Sequence, residues 1–79
     1  MSMSRNKTLA IRSALHQAEI QIPKADRSKQ AEKERDLVSE ACVALWDGKM
    51  PKLWTCLRRL MLAPDRGANY AGVAGLLNG

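Results

Sequence analysis

Five basic side chains fall within the eighteen residues that run from Lys49 to Arg66. Lys49, Lys52, Arg58, Arg59 and Arg66 surround Trp54, with Tyr70 just beyond them and only Asp65 to oppose their charge. Bases at this density can neutralise several phosphates, and an indole beside them can stack on a nucleobase or plug an apolar hollow in a protein. A plainer account is always available, in which Trp54 completes a core and the bases solvate a surface. The motif is suggestive because of its one-sided charge, not because of any fixed spacing.

Other chemistry fails for want of partners. His16 is the single histidine and has no Cys or Asp at ligand or triad spacing. Cys42 and Cys56 form no CxxC pair, and both fall on predicted apolar helix faces, so they read as free thiols in a reducing compartment. Gly72-Val73-Ala74-Gly75 matches GxxG without the strands of a KH domain. Gly67 to Gly72 has glycine spacing without the Lys-Ser/Thr of a phosphate loop. Glu32, Glu34, Asp36 and Glu40 scatter around one helix and are expected to be solvated, with no paired carboxylates in a cleft. No catalytic centre, metal site or cofactor is expected, and the chain reads as a non-enzymatic binding protein.

The elements that must carry these residues are helical. From Asp26 to Asp47 the apolar residues Ala31, Val38, Cys42 and Leu45 cluster on one face at 100° per residue, widened by Leu37, Ala41, Ala44 and Trp46. Asp26 or Ser28 can cap its start, and Asp47-Gly48 is a stop. Glu34 and Arg35 lie on the face that becomes apolar later, so this helix is expected to enter the core only from about Leu37. Before it, Ile11, Leu15, Ala18 and Ile22 space a first helix from Lys7 or Thr8 to Ile20 or Gln21, ended by Pro23. The short turn between the two implies an antiparallel hairpin. Met50-Pro51 opens a third helix, 51–63, with Leu53, Cys56, Leu57, Leu60, Met61 and Ala63 buried, Leu62 pointing out, and Lys52, Thr55 and Arg59 in a polar stripe apart from Arg58. A fourth helix spans Ala68 to Leu77 on Tyr70, Val73 and Leu77, the weakest pattern because two internal glycines cost about 1 kcal/mol each.

The expected fold is therefore all-α: one domain over residues 1–79, a helical hairpin plus one or two shorter C-terminal helices, frayed over 1–6 and least firmly specified over 66–79. Seventy-nine residues without Phe make a thin core, which favours completion by a second copy. The first helix, the charged start of the long helix and the small-residue face of the last helix are the candidate dimer surfaces.

The net charge of +5 is uneven: +2 over 1–22, −1 over 23–48 and +4 over 49–79. A basic end of this kind attracts nucleic acid or an acidic protein. The leading expectation is a regulator on nucleic acid or a nucleoprotein complex, contacting it through Lys49, Lys52, Arg58, Arg59 and Arg66 with Trp54 as anchor. The alternative is a small inhibitor or adaptor docked on an acidic protein surface. A helix-turn-helix across 51–77 is disfavoured, because the fourth helix offers only Asn69 and Tyr70 to a base edge. No apolar run reaches the roughly 20 residues of a membrane span, residues 49–63 read as a core helix and not a membrane-surface one, and the start lacks a signal-peptide core, so a cytoplasmic protein is expected.

Overall fold

The computed structural model describes residues 3–79 as four helices, α1 (Arg5–Glu19), α2 (Lys29–Asp47), α3 (Met50–Met61) and α4 (Gly67–Asn78). Each neighbours the next and α4 returns to α1, so the four form a ring in section, with α2 packed most extensively on α3. The α1–α2 hairpin is antiparallel, with Arg12, His16 and Glu19 lining one hollow with Val38 and Cys42. At one end of the bundle the starts of α1 and α3 meet the ends of α2 and α4. Among the described residues no helix is long and apolar enough to cross a membrane.

Local signals explain the boundaries. The Ser28 hydroxyl accepts the Ala31 N–H and caps α2, while Asp26 Oδ1, two residues earlier, accepts the Ser28 N–H. Gly48, at φ 73°, ends α2 in a Schellman motif: the Lys49 N–H donates to the Ala44 carbonyl and the Gly48 N–H to that of Leu45. That tight reversal allows α3 to begin at Met50 and fold straight back along α2. At the start of α1, Ser4 accepts the Lys7 N–H and Met3 packs against the core; residues 1 and 2 of the stretch expected to fray lie outside the described part.

The core takes Ile11 and Leu15 from α1, Val38 and Leu45 from α2, Leu53, Leu57 and Leu60 from α3, and Tyr70 and Val73 from α4. Most of the expected buried positions are in place, and Leu62 points out, 82% exposed; Cys42, Met61, Ala63 and Leu77, expected on buried faces, are only half-buried at the edges of the core. Two expectations are corrected. Trp46 does not widen the buried stripe of α2; it is 56% exposed near the end of that helix. The core does not begin at Leu37, because Ala31 and Glu34 are buried too. Arg35 is drawn into the hairpin turn, where its guanidinium donates to the Pro23 and Asp26 carbonyls and to Glu32.

Glycine matters at the entry to α4. A Cβ on Gly67 would collide with the Met61 carbonyl, whereas one on Gly72 would meet nothing within 4 Å. Gly67→Ala should therefore lower stability by about 1–3 kcal/mol as α4 is pushed off α3, and Gly72→Ala should raise it by about 0.5–1 kcal/mol. Thermal denaturation of the two variants checks the pair; equal shifts of the same sign would contradict it.

Candidate functional site

α3 presents two faces. Leu53, Cys56, Leu57 and Leu60 are buried, while Lys52, Thr55, Arg58, Arg59 and Leu62 are exposed. With Lys49 at its N-cap, the helix carries four bases and no acid. None of the four forms an ion pair among the described residues, where the pairs are Arg27–Glu32, Arg35–Glu32 and Arg66–Glu34. On the α2 side, Lys52 and Arg59 flank Cys56, whose thiol donates to Glu40 Oε2 at 3.8 Å. Burial, then the Glu40 charge, raises the Cys56 pKa despite the nearby bases, so the thiol stays protonated and unreactive. On the opposite flank the Arg58 guanidinium sits 6.0 Å from the centroid of the half-buried Trp54 ring, at cation–π range. Helical geometry places these residues: Trp54 and Arg58 are four apart, and Lys52 and Arg59 seven apart.

Of the residues expected to bind a partner, Lys49, Lys52, Trp54, Arg58 and Arg59 share the outer side and edges of α3. Arg66 does not join them. Its Nε donates to both Glu34 oxygens at 3.1 Å and its Nη2 to Oε1 at 2.9 Å, leaving the side chain 17% exposed. The Tyr70 hydroxyl donates to Glu34 Oε2, and Tyr70 is fully buried. Tyr70 therefore cannot border a binding surface, and Glu34 is not a solvated carboxylate. A buried carboxylate is costly by several kcal/mol unless its oxygens are satisfied, and here a bidentate guanidinium and a phenol satisfy them. No buried side-chain polar atom lacks a partner among the described residues. The signal for this cluster was the helical register of Glu34, three after Ala31 and four before Val38; nothing local marks Arg66, which lies 32 residues away.

With Tyr70 inside, the first half of α4 exposes Ala68, Asn69, Ala71 and Gly72, so the helix offers a base edge only Asn69 and, at its last residue, Asn78. No group of three or more His, Cys, Asp or Glu residues is placed to hold a metal ion among the described residues. The chain matches no protein family model, no curated protein and no solved structure.

The buried cluster has a thermodynamic signature. Burial, reinforced by the Glu34 hydrogen bond, raises the Tyr70 pKa well above its ordinary 10.0. The neutral phenol is thus favoured in the fold, and its stabilising contribution is complete below pH 10 and lost as pH rises beyond it, once the unfolded chain ionises. Tyr70→Phe should remove that part of the alkaline loss and cost about 1.5–3 kcal/mol at neutral pH; the loss beginning near 9.0, from half-buried Cys42 and buried Cys56, should remain. Glu34→Ala should cost about 3–5 kcal/mol, because it leaves a half-buried guanidinium and a buried phenol without their acceptor. Urea unfolding at several pH values reads all three; a Tyr70→Phe protein with an unchanged pH profile would contradict the assignment.

Proposed function

We propose that this chain is a non-enzymatic binding protein that acts as a regulator on nucleic acid or a nucleoprotein assembly, engaging it through the outer face of α3. The observation that carries the reading is the charge pattern of that helix: Lys49, Lys52, Arg58 and Arg59 are exposed, outside any ion pair among the described residues, and accompanied by no acid. Of the nine bases outside α3 and its N-cap, three are paired among the described residues, Arg27, Arg35 and Arg66; what sets α3 apart is that its bases share one short helix without an acid. Four free cations on a rigid helix are suited to phosphates and carry no sequence information by themselves, so the reading is of contact dominated by the phosphate backbone. The two free thiols fit a reducing cytoplasm as the place of action. A homodimer belongs to the same reading. The outer face of α4 carries no charged residue, so two copies of a chain with net charge +5 meet there with the least repulsion.

One feature favours a second reading, an inhibitor or adaptor docked on an acidic protein surface. Leu62, 82% exposed, lines a hollow of about 300 Å³ with Leu37, Leu60 and Pro64, flanked by Lys33 and Arg59. An apolar anchor ringed by cations suits such a surface.

Salt separates the two. On the nucleic-acid reading, log affinity should fall with log salt at a slope of roughly −3 to −4, from about 0.9 per duplex phosphate met by each of the four bases. Lys52→Ala with Arg59→Ala should flatten that slope by roughly 2 and leave the melting temperature within a few degrees of the parent. Filter binding or fluorescence anisotropy at several salt concentrations measures it. No binding at low salt would sink the reading and turn attention to the Leu62 hollow.

A further inference from the structure

Both tryptophans line one cleft, a feature that the basic face of α3 does not by itself require. Where the starts of α1 and α3 meet the ends of α2 and α4, a cleft of about 610 Å³ is walled by Met3, Lys7, Leu45, Trp46, Trp54 and Leu77. Trp46 is 56% exposed there, an unusual position for the largest side chain in a protein without Phe. Arg58 approaches the Trp54 ring. No carboxylate lines the cleft, and the cations Lys7 and, at its α3 border, Lys49 and Arg58 are all free of ion pairs among the described residues; Asp47, beside Trp46 in the chain, is the nearest acid in sequence.

We infer that this cleft holds unpaired bases of a single-stranded nucleic acid, stacked on Trp46 and Trp54, while Lys7, Lys49 and Arg58 contact the flanking phosphates. The inference rests on the reading of α3 as a phosphate-binding face and specifies the kind of nucleic acid. Indole stacking accepts any base, because every base has a ring face, but that face must be free. In a duplex it is covered by neighbouring base pairs, so the cleft discriminates by strandedness and not by sequence. The helices that carry the two rings are joined through the Gly48 reversal, which fixes the backbone beneath both before a ligand arrives. An extended acidic peptide would satisfy the same charges, but an all-helical chain offers it no sheet edge to pair with.

Every tryptophan in the chain is in this cleft, so intrinsic emission reports on it directly. A dT oligonucleotide and a duplex of equal length are titrated at one low salt concentration, with polyglutamate as a third ligand. Trp46→Leu, exposed enough to leave the fold intact, is compared by the same titrations after a melting check. The single strand should quench emission and bind at least about tenfold more tightly than the duplex, and Trp46→Leu should remove that preference while sparing duplex binding. Equal binding of both nucleic acids with unquenched emission would overturn the inference and leave the reading of α3 standing. Binding of neither would overturn both. Quenching by polyglutamate as strong as that by the oligonucleotide would show a polyanion or acidic-protein cleft and would also overturn the inference.

Discussion

Among the described residues the carboxylate of Glu34 is the one charge that the bundle takes inside, and the placement of α4 depends on how that charge is met. α2 and α4 stand diagonally across the bundle, without the close backbone approach that each neighbouring pair has. Their link is polar: Glu34 receives the Arg66 guanidinium from the cap of α4 and the Tyr70 hydroxyl from its first turn. The two donors arrive together because Gly67 lets the chain pass close to the Met61 carbonyl. α4 has little to hold it as an isolated helix, with internal glycines, no capping side chain and no charge. Its order comes from docking, with Tyr70 and Val73 in the core and Glu34 at the anchoring end.

That interior pair also shapes the outside. Three of the thirteen bases are held in ion pairs among the described residues, which leaves ten unpaired, and α3 with its N-cap has four of them and no acid. The long helix beside it supplies acids, yet Glu34 is turned inward, Glu32 is occupied by Arg27 and Arg35, and Glu40 meets a thiol. The outer face of α3 is positive because no carboxylate of the chain forms an ion pair with its bases among the described residues. A helix whose buried side is as regular as Leu53, Leu57 and Leu60 is rigid enough to hold such charges in a fixed array.

Much of this was legible in the residues. Period 3.6 located four helices, and Ser28, Gly48 and Pro51 marked ends that need specific caps or backbone geometry. The two faces of α3 followed from spacing, including the outward Leu62. The failures have two causes. Glu34 has the register of a core position and the chemistry of a surface one, and chemistry was the poorer guide because its satisfying partners are distant in sequence. Arg66 looked like an outer residue for the same reason, and Tyr70, though part of the apolar spacing of α4, also looked available to a partner. Trp46 looked buried because a large apolar ring was assigned by angle alone; at the last turn of a helix the neighbouring elements have ended and nothing remains to cover it. Periodicity reports which face a residue occupies, whereas end effects and long-range ion pairs decide what meets it there.

Native-state hydrogen exchange on the full chain tests the central claim, that α4 is locked to the bundle through Glu34. Amides of Tyr70 to Val73 should then be protected to nearly the same degree as those of Leu57 to Leu60 in α3, exchanging through global unfolding. Exchange in α4 faster by orders of magnitude, with α1 to α3 still protected, would mean that α4 opens on its own and that the buried ion pair does not hold it.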